Sequence, residues 1–250
     1  MKKILLLIGL LFPAFATAND YEDIVQRAFE SIDREFKEDW AFTETSTKDD
    51  VVLIGHYDPR RPENDRWTLV SVDGLEPQDD EIEDYLEEKE RDRRRGRRGG
   101  PPDEDVANNE GPERDEEDED EREYSAIVNF TSLELVEETG DHWIFDFKPN
   151  TGDDDDSDAK FMRDVTGQLK IIKSGHYVAT INMHNEKTIK PAVGVKISKF
   201  VTTMAFGPAT DDGPIVPIAV DVEVKGRAML VIKFDEVEKT RFSDFEYAEH

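Results

Sequence analysis

His142-Trp143-Ile144-Phe145-Asp146-Phe147 carries its large aromatic side chains at every second position. Successive side chains of an extended chain point to opposite faces, so Trp143, Phe145 and Phe147 share one face while His142 and Asp146 take the other. That is the pattern of an antiparallel strand packed on one side and wet on the other. Ala228-Met229-Leu230-Val231-Ile232-Lys233-Phe234 reads the same way. With the other runs rich in β-branched and aromatic residues, the second half of the chain predicts strands over 126–130, 133–138, 142–148, 169–174, 177–184, 193–206, 215–224 and 227–238. Thr139-Gly140-Asp141, Ser174-Gly175, Asp211-Asp212-Gly213 and Lys225-Gly226 supply the expected hairpin turns.

Working back toward the start, the period changes. Ile24, Val25, Ala28, Phe29, Ile32 and Phe36 recur at three- and four-residue spacing, which predicts an amphipathic helix over 21–36. Three short strands follow at 40–45, 51–57 and 67–72, punctuated by Lys48-Asp49-Asp50, Asp58-Pro59 and Asp73-Gly74. Pro77 then opens a second helix through Ile82, Tyr85 and Leu86, acidic at its start and basic toward Arg91 to Arg95, as the helix dipole favours. Beyond Leu86 little further helix is expected. The fold class is therefore α+β, mainly β: a curved antiparallel sheet, or half-barrel, with one or two helices on its concave face and a disordered acidic insertion. The expected division is a signal peptide at 1–18, a first part of the half-barrel at 19–89, the charged insertion at 90–123 and the rest of the half-barrel at 124–250.

Composition sets the limits on function. Acidic residues outnumber basic ones 60 to 32, the net charge is −28 and only 36% of residues are apolar. Such a chain repels phosphate backbones and anionic headgroups, which disfavours nucleic acid as a partner and electrostatic docking on a membrane. The insertion holds much of the acid, and its Gly99-Gly100-Pro101-Pro102 and Gly111-Pro112 breaks exclude a packed core. The arginines between Arg91 and Arg98 lie within reach of the acids from Asp115 to Glu123, which neutralise them. There is no Cys, so disulfides, thiol nucleophiles, Cys-ligated metals and a lipid-modified N-terminal Cys are excluded.

Lys2 and Lys3, the apolar run from Ile4 to Leu11, Pro13 and Ala16-Thr17-Ala18 form a secretory signal with cleavage expected after Ala18. The apolar stretch is too short to span a bilayer, so a periplasmic protein that does not cross the membrane is expected. His56, His142, His176, His184 and His250 show no metal-ligand spacing. Asp153-Asp154-Asp155-Asp156-Ser157-Asp158 lacks the Gly and Glu of a calcium loop and reads as a solvated acidic hairpin, with weak calcium binding the alternative. No nucleophile elbow, dinucleotide fingerprint or phosphate loop is present. No catalytic residue, cofactor or metal is therefore expected, and an enzyme is not the reading.

An N-terminal helix, a run of curved strands, a helix inserted after the third strand and long later strands behind a secretory signal resemble the periplasmic half-barrel of the LolA, LolB and RseB group of lipoprotein-sorting carriers. The stretches that carry the likeness are Trp67-Thr68-Leu69-Val70-Ser71-Val72-Asp73-Gly74-Leu75-Glu76-Pro77, residues 169–206 and Phe242-Ser243-Asp244-Phe245. The likeness spans 21–88 and 124–247 and is architectural; the acidic insertion departs from it, and no functional residue of those carriers is carried over. The resemblance implies an apolar concavity that takes up acyl chains.

Trp143, Phe145, Phe147, Tyr177, Met183, Phe200, Met204, Phe206, Met229 and Phe234 are the residues expected to line it. The leading expectation is a non-enzymatic carrier or sensor that binds an acyl chain or a lipidated protein in this groove. The alternative is a protein-interaction or scaffold module whose groove is filled by its own side chains and whose acidic arm recruits a cationic protein.

Overall fold

The computed structural model describes residues 18–98, 124–151, 157–229 and 232–248. The expected signal peptide up to residue 17, the acidic stretch 99–123 and the acid cluster at 152–156 lie outside the described residues.

The chain forms α1 (Ala18–Glu30), α2 (Phe36–Asp39), β1 (Trp40–Lys48), β2 (Val51–Tyr57), β3 (Trp67–Val72), α3 (Asp79–Arg98), β4 (Glu134–Glu138), β5 (His142–Phe147), α4 (Ser157–Met162), β6 (Val165–Ile172), β7 (Tyr177–Asn185), β8 (Val195–Pro208), β9 (Ile215–Ala228) and β10 (Ile232–Tyr247). All ten strands join one antiparallel sheet in the order β3-β2-β1-β10-β9-β8-β7-β6-β5-β4, open at β3 and β4. Two meanders, β1 to β3 and β4 to β10, are welded by the pairing of the first strand with the last. The helix after the third strand begins the connection from one open edge to the other.

Local chemistry explains the element ends. Lys48 pairs with Val51 across a two-residue turn in which Asp49 and Asp50 both have positive φ, 50° and 66°. That is the primed turn that matches strand twist, and Asp tolerates it better than branched residues do. At the start of α3 the Glu81 carboxylate accepts from the Gln78 backbone N–H at 2.8 Å, satisfying one orphan donor beside the acidic first turn.

Several expectations are corrected. The helix expected over 21–36 ends at Glu30, where Ser31 Oγ donates to the Ala28 carbonyl, and Phe36 belongs to the separate short α2. Residues 126–130 are not a strand; two 3-10 turns, Tyr124–Ile127 and Phe130–Ser132, flank a single bridge between Val128 and Pro149. Asn129 causes this locally, its side chain accepting from the Thr131 N–H at 3.1 Å in place of a strand partner. Helix continues past Leu86 to Arg98 and returns at Ser157–Met162, so the stretch expected as insertion from residue 90 begins inside α3.

Lys225-Gly226 is no turn either. Both lie inside β9, which runs on to Ala228, and Met229, at a φ of 49°, is the turn residue that follows. Gly226 serves close approach: a β-carbon there would sit 2.2 Å from Cζ of Phe234 and 2.5 Å from the Lys196 carbonyl oxygen. The apolar run 228–234 is thus divided between two strands, Ala228 ending one and Ile232 starting the next.

Candidate functional site

The strand registers assemble the concave face in rows. Trp143–Ile171–Val178, Phe145–Leu169–Ile181–Met204 and Phe147–Gly167–Met183–Thr202 each run across neighbouring strands from β5 toward β8. Gly167 makes room for the Phe147 ring, whose Cζ lies 2.1 Å from where a β-carbon would stand. Onto these rows α1 lays Val25, Ala28 and Phe29, and the turn after it adds Ile32, all at most 4% exposed. The Tyr21 ring meets Phe145 edge-on at 5.5 Å, Tyr124 meets Phe206 at 5.0 Å and Phe161 of α4 meets Phe200 at 4.9 Å. Burial pushes the Tyr124 hydroxyl above the usual phenol range.

Among the described residues, two hydrogen bonds to backbone carbonyls tie α1 and the turn after it to the sheet. His176 Nε2 donates to the Ile24 carbonyl at 3.0 Å, and the Asp33 backbone N–H donates to the Ile215 carbonyl at 2.8 Å. The rest is apolar packing.

The other end of the concave face is closed by a second cluster and a second helix. Phe42 stacks on Tyr57 at 5.1 Å and is edged by Trp67 and Phe242 at 5.7 and 5.6 Å. α3 covers Trp67 and Gly55 with Tyr85 and Lys89. Lys89 Nζ lies 2.5 Å from Oε1 of Glu44, a carboxylate buried on β1, and 4.5 Å from the Trp67 ring centre. Between the two helices Val220, Val222 and Val224 of β9 form a half-buried strip.

Seven of the sequence-predicted lining residues meet in the first cluster: Trp143, Phe145, Phe147, Met183, Phe200, Met204 and Phe206. Three do not. Tyr177 pairs with Ile172, one position off the buried pair Ile171 and Val178, and so takes the other face. Phe234 stays on the concave side but packs over Gly226, and Met229 is 76% exposed at the turn between β9 and β10. The side chains that cover the rows come from α1, which its own 3.6-residue period marked out. Glu44 and Lys89, far apart in sequence, carried no signal.

Two small cavities stand out among the described residues. One of about 190 Å³ is lined by Gln26, Phe29, Glu30, Arg34, Ser125 and Phe130, and one of about 170 Å³ by Lys148, Arg163, Asp164, Thr166, Glu186 and Lys187. Small-molecule pockets ordinarily exceed about 300 Å³. Among the described residues no three His, Asp or Glu side chains gather to hold a metal, and no helix is long and apolar enough to cross a membrane. Comparison with models of known protein families, with curated proteins and with solved structures finds no match.

Proposed function

We propose that this protein is a non-enzymatic periplasmic interaction module, its open sheet a scaffold with a self-filled concave face and its acidic stretch near 103–123 an arm that recruits a cationic protein. The observation that supports this reading is the seating of α1. Val25, Ala28, Phe29 and Ile32 occupy the apolar rows that an acyl chain would need. Burial of each such side chain is worth about 1.5–3 kcal/mol, so a ligand entering there has to displace a comparable favourable contact.

The second reading, a carrier for an acyl chain or a lipidated protein, keeps one specific support. The half-buried strip Val220, Val222 and Val224 lies between α1 and α3, and few hydrogen bonds among the described residues tie α1 down, so a swing of that helix would join the strip to the rows beneath it. Titration of residues 19–250 with a fluorescent fatty acid separates the two. An interaction module shows no saturable uptake at micromolar protein; one-to-one saturable binding overturns that reading in favour of the carrier. A recruiting arm is tested by pull-down from a periplasmic extract at rising salt, with capture of a basic protein expected to fall with ionic strength and to vanish on deletion of 97–123.

A further inference from the structure

β8, β9 and β10 are much longer than their neighbours, at 14, 14 and 16 residues. β7 pairs with β8 only as far as Val201, and β1 pairs with β10 only as far as Glu238. Past those rows the three strands continue together to the row Val195–Ala228–Ile232, flanked on the β8 edge by a single bridge from Ile189 to Ile197. Five rows at about 3.4 Å each make a tongue roughly 17 Å long, into which the core reaches through Phe200, Ile197 and the buried Ile189.

The charge of this tongue is opposite to that of the molecule. Lys196, Arg227 and Lys233 are direct register partners, so the three stand side by side on one face. All three are exposed, and none makes an ion pair among the described residues. The next row holds Lys199 and Lys225, and there Glu223 and Asp235 pair with them. Stretches 187–200 and 224–234 contain no Asp or Glu in a chain of net charge −28. Like charges opposed across strands weaken a sheet, so the unpaired row does nothing for folding.

In front of the cations the tip is apolar. Val193 is fully exposed, Met229 is 76% exposed and Ile232 is 57% exposed. Met229 occupies a left-handed turn conformation with φ of 49°, its N–H donating to the Gly194 carbonyl at 2.9 Å. Gly or Asn is the usual residue there, and a methionine offered to solvent in that conformation gains nothing from the fold.

We propose that this tip docks end-on to an anionic phospholipid bilayer. Val193, Met229 and Ile232 enter the boundary between headgroups and acyl chains, and Lys196, Arg227 and Lys233, one row behind, meet the phosphates. Apolar residues foremost with cations a few ångströms behind is the arrangement that an interfacial anchor needs. Net charge does not forbid this, because Glu223 and Asp235, the acids behind the cations on this face, are paired with Lys199 and Lys225, and exposed charges beyond the Debye length of about 8 Å at physiological salt are largely screened. The proposal stands apart from the fate of the concave face.

Flotation of residues 19–250 with vesicles of phosphatidylcholine alone, or with about one-third phosphatidylglycerol, tests it. Binding is expected to the anionic vesicles, at least tenfold weaker to the neutral ones, and lost in 0.5 M NaCl. Each cation at a charged surface contributes about fivefold, so the triple variant Lys196→Glu, Arg227→Glu, Lys233→Glu is expected to lose more than 100-fold. The pair Met229→Asp and Ile232→Asp is expected to lose at least tenfold, with circular dichroism and unfolding midpoint showing that each variant folds. Met229→Trp reports insertion directly by a blue shift and quenching by brominated lipid. Equal binding to both vesicle types, no binding to either, binding unchanged in the folded triple variant, or capture by soluble heparin with no blue shift of the Met229→Trp variant on vesicles each overturns the proposal.

Discussion

Gly55 and Tyr85 show how one missing side chain positions a helix. A β-carbon on Gly55 would lie 2.0 Å from the Tyr85 hydroxyl oxygen and 2.8 Å from its ring carbon, so the bare backbone of β2 is the floor on which α3 rests. The hydroxyl itself is buried and finds no hydrogen-bond partner among the described residues. Burial first, and then Glu44 and Glu88, drive its pKa far above the ordinary phenol value. An unsatisfied buried hydroxyl costs rather than stabilises, so Tyr85→Phe is expected to match the parent or exceed it by about 1 kcal/mol in urea unfolding. Gly55→Ala is expected to lose about 1–3 kcal/mol by overpacking. The double variant should recover part of that loss, since the hydroxyl oxygen is the nearest obstacle; strictly additive losses would show that α3 does not rest there.

The connection from β2 to β3 links separate elements through one carboxylate. Asp58 accepts from the Arg60 backbone N–H at 3.0 Å and from Arg60 Nε at 2.8 Å, while Arg60 Nη1 also reaches Glu246 at the end of β10. The Arg60 guanidinium beside Asp58 holds its carboxyl below the usual range. A depressed folded pKa means stabilisation present above the unfolded value near 3.9 and lost as pH falls through the folded one. Asp58→Asn is therefore expected to lower the unfolding midpoint at pH 7, the gap narrowing from about pH 4 downward; a gap constant to pH 2 would assign the effect to shape rather than charge. Such cross-element ties are what the sequence concealed. β5 was legible because only one of its faces is buried, whereas β10 is exposed along most of its length and lacks an alternating apolar set. α3 has a thin apolar face and was found by its charges, but its stretch up to Arg98 is made of residues equally suited to a solvated arm. Gly226 was misread because the same residue serves turns and close approaches, and only the Phe234 ring, eight positions on, decides between them.

At the scale of the molecule, net charge averages a segregated distribution: a surplus of acid over the whole chain coexists with an acid-free row of cations at one end of the sheet. The lining residues were legible for the opposite reason, since burial of one face imposes a period that survives without any long-range knowledge. What local pattern could not show is whether α1 belongs to the core or merely rests on it, which depends on the strength of its packing against rows contributed by four other strands. Phe29, 3% exposed, tests this in the full chain. If α1 is integral, Phe29→Ala leaves a cavity that the whole sheet feels, and a loss of about 3–5 kcal/mol is expected in a single unfolding transition with no dye bound beforehand. If α1 is a displaceable lid, the sheet keeps its own midpoint while an apolar dye such as anilinonaphthalene sulfonate binds the uncovered rows under native conditions. The first outcome is the one that the self-filled scaffold requires, and the second returns the concave face to the carrier reading.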